Sequence, residues 1–379
     1  MSEAEFVAKV VGGVSGLPAA EWDALTDGAN PFVSHAFLSA MEDSRSVGAR
    51  SGWSPATIVI EDAAGTLAGA LPAYLKEHSQ GEYVFDHAWA DAWQRAGGHY
   101  YPKLQIAAPF TPATGPRILT RRAELVRPLL RAAEALCAQN GLSSAHATFI
   151  EPQQVSAFEQ AGWLLREDTQ FHWTNRGYAS FDDFLGALAS RKRKDLRKER
   201  EKAQDGVTIK ALTGADLKEE HWDAFWRFYQ DTGQRKWGHP YLTRRAFSLL
   251  GERMADKILL VLAYADDEPV AGALNFIGGD ALYGRYWGAL VDKPFLHFEL
   301  CYYQAIDAAI ALGLSRVEAG AQGSHKLARG YEPASTVSAH YIVHEGFREA
   351  IADFLTRERE GAAQERLWLG ERTPFRKES

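Results

Sequence analysis

The sequence predicts an α/β chain in which one mixed-sheet unit flanked by helices occurs twice, the two copies joined by a basic helical segment. Three observations carry this expectation: a repeated β-hairpin, a repeated step from amphipathic helix to strand, and a charged stretch of different composition between the copies. In the first half, residues 57–60 read as a strand, 61–65 as a turn and 69–75 as the partner strand. In the second half the same roles fall to 259–265, 266–269 and 272–277, and both second strands contain Ala-Gly-Ala-Leu. A helix with Leu125, Leu129, Ala132 and Leu136 on one face stops at Asn140-Gly141 and gives way to a strand at 145–150. Its counterpart carries Tyr302, Ile306, Ala309 and Ile310, stops at Gly313 and leads into 316–319. Further on, Gly162-Trp163 with residues 169–173 corresponds to Gly330-Tyr331 with 336–341.

The copies are not equal in length. Gly69 and Gly272 are 203 positions apart, whereas Gly141 and Gly313 are 172 apart, so the first copy carries about 31 extra residues. They form the aromatic, Gly/Pro-rich insert 85–116, which includes Trp89, Trp93, Tyr100 and Tyr101. Without helical periodicity, these rings are expected to line or cover a cleft, with Asp86, His87 and Lys103 as its polar members. Between the copies, the run 191–202, from Arg191 to Lys202, has eight basic and three acidic side chains. Trp222, Phe225, Trp226 and Tyr229 follow at helical spacing and are read as core. The resulting division is 1–178 for the first unit, 179–235 for the helical basic linker and 236–379 for the second, with a helical Glu/Arg-rich tail from 345.

Composition bounds the function. With 379 residues, 46% hydrophobic and 24% charged, the chain has an ordinary globular composition of two or three domains. A formal net charge of −7 disfavours a general polyanion binder, so any nucleic-acid contact has to be local. Cys137 and Cys301 are far apart within apolar patterns, which points to buried free thiols rather than a disulfide or metal site. No basic n-region opens the chain and no stretch of about 18 apolar residues occurs, so a cytoplasmic protein without integral membrane contact is expected.

Hairpin, further strand, amphipathic helix, then a strand with a Gly-aromatic step is the element order of the GNAT fold, which the chain resembles in tandem. Particular strings sharpen the likeness. They are Ala108-Pro109-Phe110-Thr111-Pro112 with Gly115-Pro116-Arg117, Tyr283-Gly284-Arg285-Tyr286-Trp287-Gly288, Leu296-His297-Phe298-Glu299, and Gly320-Ala321-Gln322-Gly323 with His325-Lys326 and Arg329-Gly330-Tyr331. On these strings the chain resembles the FemAB-like group associated with peptidoglycan biosynthesis or recognition, from about residue 30 to 355. The resemblance implies N-acyl or aminoacyl transfer to an amine, with a peptidoglycan-precursor-like peptide as acceptor and the cleft between the halves as site. No tightly bound cofactor is implied; the donor is acyl-CoA or aminoacyl-tRNA.

Acyl transfer to an amine needs a proton acceptor, donors for the oxyanion and an acid for the leaving group. His297 and Glu299, at the entry to the second helix, are candidate bases, with core packing and helix-dipole compensation as the alternatives. Glu318 opens a glycine-rich loop at a strand end and is a candidate base or a buried ion pair. Strict alternation along 282–290 sets Tyr283, Arg285 and Trp287 on one face, with Arg285 and Trp287 as substrate contacts. Gln322, His325, Lys326 and Arg329 offer donors and charge in the loop, and the resemblance places Tyr331 as a leaving-group acid. One site is expected to bring Glu299, Glu318 and His325 together.

The donor is left open by the residues. The glycine loop that usually cradles CoA pyrophosphate is missing before the second helix, where the chain reads Asp292-Lys293-Pro294-Phe295. Before the first helix, Thr111, Thr114, Gly115 and Arg117 are candidate phosphate contacts. An aminoacyl-tRNA could meet residues 191–202, or that run is a solvated helix laced with pairs such as Arg191 with Asp195. A small acyl-CoA-dependent transferase and a non-catalytic cell-wall-fragment binder are the competing readings.

Overall fold

The structure, a computed structural model, describes residues 6–237, 240–320 and 323–376. The strands, in chain order, are β1 (Ala8–Val11), β2 (Trp53–Pro55), β3 (Thr57–Glu61), β4 (Leu67–Leu71), β5 (Ala73–Lys76), β6 (Lys103–Ile106) and β7 (Ser144–Ile150). They continue as β8 (Leu164–Thr174), β9 (Thr208–Leu212), β10 (Ile258–Ala265), β11 (Glu268–Ile277), β12 (Ala281–Ala289), β13 (Arg316–Glu318) and β14 (Glu332–Ile342). The helices that matter here are α1 (His87–Arg95), α2 (Val126–Gln139), α3 (Ser190–Gln204), α4 (Glu219–Trp237), α5 (Gln304–Ala311) and α6 (Glu345–Gly370). A single turn, Leu296–Phe298, and a π-turn, Glu299–Tyr303, run directly into α5.

Two compact units result, and neither is a contiguous span. Unit 1 is 1–168 with 335–363; unit 2 is 169–334 with 364–379. This differs from the boundaries at 178 and 235 read from sequence. The last strand of each half is placed by its hydrogen bonds and not by its position in the chain: β14 pairs with β7 in unit 1, and β8 pairs with β13 in unit 2. The basic helix α3 belongs to unit 2, where Leu196 and Ala203 are buried.

In unit 1 the strands β2-β5-β6-β7-β14 form consecutive pairs, antiparallel except for the parallel β6–β7 step. A second sheet, β1-β3-β4, takes the outer part of the hairpin. The strand expected at 69–75 is thus split at Pro72, which has no N–H to donate, and its two parts serve different sheets. The amphipathic helix α2 buries Leu129, Leu130, Ala133 and Cys137 against this sheet's core.

The insert 85–116 contains α1 and β6, so it is not an irregular cover. Trp89 and Tyr100 are buried with Ile342, Phe347, Ile351 and Leu355, and Trp93 stacks on Phe347 at 4.6 Å. The expectation that these rings line a cleft is corrected: β14 and α6, distant in sequence, supply the apolar surface that covers them.

In unit 2 the order is β9-β10-β11-β12-β13-β8, antiparallel except for β12–β13. Asp266 and Asp267, both at positive φ, make the two-residue turn between β10 and β11. Trp222, Phe225 and Tyr229 of α4 are buried around Phe247, as their spacing predicts. This helix lies so close to β12 that a Cβ on Gly288 would fall 2.1 Å from the Phe228 carbonyl oxygen. Only glycine permits that approach.

The register of β11 on β12 shifts between Leu274 and Asn275, leaving Arg285 as an extra residue between Gly284 and Tyr286. This bulge overturns the strict alternation expected along β12. Tyr283, paired with Phe276, now shares a face with Tyr286 and Gly288, while Gly284 and Trp287 share the other.

Candidate active site in the C-terminal unit

β13 ends at Glu318 after three parallel pairs with β12, which itself runs on to Ala289. On that edge residues 284–289 have no strand partner among the described residues. Ligands of open α/β sheets bind beyond such carboxyl ends. Here the end is walled by ionisable and amide side chains, all within unit 2.

Glu318 is 3% exposed; its Oε1 accepts from Arg316 Nε at 3.0 Å. Its Oε2 has no hydrogen-bond partner among the described residues and lies 3.9 Å from His172 Nε2. His172 comes from β8, directly opposite Glu318 in the ladder. Burial lowers its pKa, opposed by the Glu318 charge and assisted by Arg316 and Lys326. Asn275 is buried at the bulge, donating Nδ2 to Leu259 O at 3.2 Å while Oδ1 accepts nothing among the described residues. Gly284 shares the face of Asn275, since a Cβ there would lie 3.4 Å from Asn275 Oδ1, whereas Glu318 is paired with Tyr283 and faces the other side of the sheet. Lys326 is buried, donates to Gly320 O at 2.8 Å, and has its pKa lowered to about 7 by burial.

A second group of predicted residues clusters around two rings. His297 lies 5.1 Å from Trp287 and 5.4 Å from Tyr302, and the exposed His325 bonds Tyr302 Oη through Nε2 at 2.8 Å. Arg329 stacks on Phe298 at 3.3 Å. Arg285 lies at the bulge with its guanidinium 5.1 Å from the Tyr286 ring. Gln322 lies outside the described residues.

Two candidate roles are corrected. Glu299 is fully buried, its Oε2 accepting from Arg200 Nε and its Oε1 from Arg200 Nη2, Gln204 and Gln304. A fully buried carboxylate with four hydrogen bonds anchors α3 to the π-turn and is not open to an incoming amine. Glu299 thus has a set of partners different from that of Glu318, against the single three-residue site expected. Tyr331 is also fully buried and donates its O–H to Tyr302 O at 3.3 Å. Burial drives its pKa well up, and its hydroxyl serves the core rather than a leaving group.

In unit 1 the corresponding strand end is closed. Arg117, 1% exposed, donates Nε to Thr148 O at 2.7 Å, Nη1 to Pro116 O at 2.9 Å and Nη2 to Ala113 O at 2.8 Å. Gly115 donates N–H to Phe149 O and accepts from Glu151 N–H, bridging the loop to β7. Thr111 donates to Pro109 O, and Thr114 O accepts from Asn30. Thr111, Gly115 and Arg117, expected to cradle phosphate, therefore spend polar groups on the loop and on β7. Replacing Arg117 by Leu is expected to strand three carbonyls and lower the unfolding free energy by about 3 kcal/mol or more. Urea unfolding checks it; a loss under about 1 kcal/mol would remove the staple role.

Asp86 is likewise a member of a buried network and not a surface contact. Lys103 Nζ donates to Ser79 Oγ at 2.8 Å, Glu82 Oε2 at 2.7 Å and Asp86 Oδ2, and Tyr100 donates to Asp86 at 2.7 Å. His146 and His340 share a hydrogen bond between Nδ1 atoms at 2.7 Å. Burial lowers both histidines, His146 to about 3. His87 is the exposed first residue of α1.

The strand-end residue missed from sequence is His172, and the repeat carried a signal for it. Shifting the second copy by 168 positions superposes Gly330 on Gly162 and His340 on His172. Shifting it by 172 superposes Gly313 on Gly141 and Glu318 on His146. The paired position is His146–His340 in unit 1 and Glu318–His172 in unit 2.

Two mixed-sheet units flanked by helices, one strand end closed and the other lined by Glu318 and His172, give the chain a tandem GNAT-like fold. The family described as peptidoglycan biosynthesis/recognition, FemAB-like, matches residues 13–377, and the chain belongs to it. Among solved structures the chain is similar to FemX, at 11% identity over 92% of this chain and 100% of that one, with a TM-score of 0.56. It is also similar to L-PGS from Bacillus licheniformis, at 9% identity over 84% and 95%, with a TM-score of 0.51. A third similar structure, the C-terminal domain of a putative lysylphosphatidylglycerol synthetase from Agrobacterium fabrum, has 11% identity over 84% and 95%, with a TM-score of 0.51. At these identities the likeness is one of fold. No curated protein matches the chain significantly. Among the described residues no helix is long and apolar enough to cross a membrane.

Proposed function

We propose that this chain transfers an aminoacyl group to an amine of a peptidoglycan-precursor-like peptide, at the strand end of unit 2. The observation that carries the reading is Glu318 Oε2, a buried carboxylate oxygen with no hydrogen bond among the described residues and 3.9 Å from an imidazole. A neutral His172 takes the proton from the attacking ammonium, and the Glu318 carboxylate stabilises the imidazolium that forms. The nitrogen then forms the new amide bond to the acyl carbon while the donor's oxygen leaves with a proton.

Donor chemistry follows from the helix entry. The residue before the single turn at Leu296 is Phe295, in the left-handed region and without a side-chain cap. No run of glycine amides stands there to hold a pyrophosphate, which disfavours CoA in the usual manner. The exposed cations of α3, Arg191, Lys194 and Arg197 among them, supply a local surface for tRNA phosphates. The family description, peptidoglycan biosynthesis/recognition, supports a peptidoglycan-related acceptor.

Incubating the protein with a peptidoglycan-precursor peptide and either aminoacyl-tRNA or acetyl-CoA separates the readings. Product from aminoacyl-tRNA alone is expected. Product from acetyl-CoA alone overturns the donor, and peptide binding without product from either overturns the enzyme.

A further inference from the structure

A cavity of about 280 Å³ opens between α3 and the loop after β13, within unit 2. Its lining includes Lys192, Lys198 and Lys202 of α3, with Phe295 and Arg329 opposite. Lys198 and Lys202 stand four residues apart on the helix, an arrangement in which like charges repel. That repulsion amounts to about 0.2–0.5 kcal/mol, which an anion seated against the pair would offset.

Arg329 makes the pocket more than a patch of lysines. It is 7% exposed and its guanidinium is held flat on Phe298 at 3.3 Å. Nη1 donates to His325 O at 2.7 Å and Nη2 to both Glu199 oxygens at 3.0 Å. Its buried Nε has no hydrogen-bond partner among the described residues. An unmatched donor in a preorganised guanidinium is costly unless a ligand oxygen meets it.

The charge balance selects the ligand class. Glu199 is already spent, since it accepts from Arg329 and from the Tyr303 hydroxyl. Three ammonium groups then face one remaining carboxylate in the lining, Asp195. That surplus suits a phosphomonoester, which carries about −1.5 to −2 charge at neutral pH, better than a lone carboxylate. Leu196, Phe295 and Ala328 supply apolar wall for an organic group attached to it.

We propose that this pocket binds the phosphomonoester of a small organic ligand, held by Lys192, Lys198 and Lys202 around the fixed guanidinium of Arg329. Binding is read directly, so the proposal stands or falls separately from the transferase reading. The full chain is titrated calorimetrically with AMP, pyrophosphate and adenosine. AMP and pyrophosphate are expected to bind at least about tenfold more tightly than adenosine, with affinity falling as salt rises. The triple variant K192A/K198A/K202A, whose changes are confined to α3's lysines, is expected to lose about tenfold or more in AMP affinity at unchanged Tm. Adenosine binding as tightly as AMP, an unchanged affinity in the triple variant, or no heat from either phosphate up to about 10 mM would each overturn it.

Discussion

Replacing Lys103 with Met is expected to lower the unfolding free energy by about 3–5 kcal/mol, the usual cost of removing one partner from a buried ion pair. The ammonium is fully buried and all three of its donors are used, on Ser79, Glu82 and Asp86. Burial works to raise the Asp86 carboxyl, yet the Lys103 charge and hydrogen bond hold it well below the usual carboxylate range. Burial raises Glu82 to about 7, against the pull of Lys103. Without Lys103 both carboxyl groups shift upward, so the folded state binds more protons than the unfolded chain above the unfolded value. Stability of the variant therefore rises as pH falls from about 8 toward 5, and its deficit against the parent shrinks. Urea unfolding at both pH values reads this. An equal deficit at the two would show that lost packing, and not uncompensated charge, is the cause.

The second large effect concerns Glu318. Glu318→Gln keeps the shape of the side chain and removes the charge that stabilises the His172 imidazolium, and kcat is expected to fall by about 10²–10⁴-fold, the range over which the proton transfer it supports contributes. His172 provides the direction of the pH effect. Burial holds its pKa below 6.5, and Glu318 is the one group that raises it, against Arg316 and Lys326. Loss of the Glu318 charge moves that pKa further down, so the acid limb of the rate profile shifts to lower pH while the plateau drops. His172→Ala should abolish the limb altogether. A Glu318→Gln protein with unchanged kcat would sink the strand-end site.

Much of the scaffold was legible because it is local. The Asp266-Asp267 turn, the apolar face of α2 and the ring spacing along α4 are set by neighbours within a few residues, and each appears where its pattern puts it. The bulge at Arg285 was not legible. Alternation is a property of an undisturbed pleat, and one inserted residue reverses the face of everything beyond it.

Side-chain chemistry divides in the same way. Glu299 and Glu318 look alike in sequence, each an acid next to a structural boundary, yet one is held by Arg200, Gln204 and Gln304 while the other keeps an oxygen with no hydrogen bond among the described residues. Gln304 is 5 positions from Glu299, but Arg200 and Gln204 come from 99 and 95 positions away, and His172 is farther still from Glu318 in chain order. Trp89 and Tyr100 gained the status of core only when β14 and α6 returned to cover them.

By itself the sequence determined the repeat, the α/β class and the family's motifs, since periodicity and turn chemistry act over short separations. Tertiary structure alone decided which unit's strand end is closed. Arg117 fills one with three hydrogen bonds to carbonyls, whereas the short connection from β12 to Leu296 leaves the other to Glu318 and His172. Whether a polar group is spent or left over depends on what folds against it, and no local pattern encodes that.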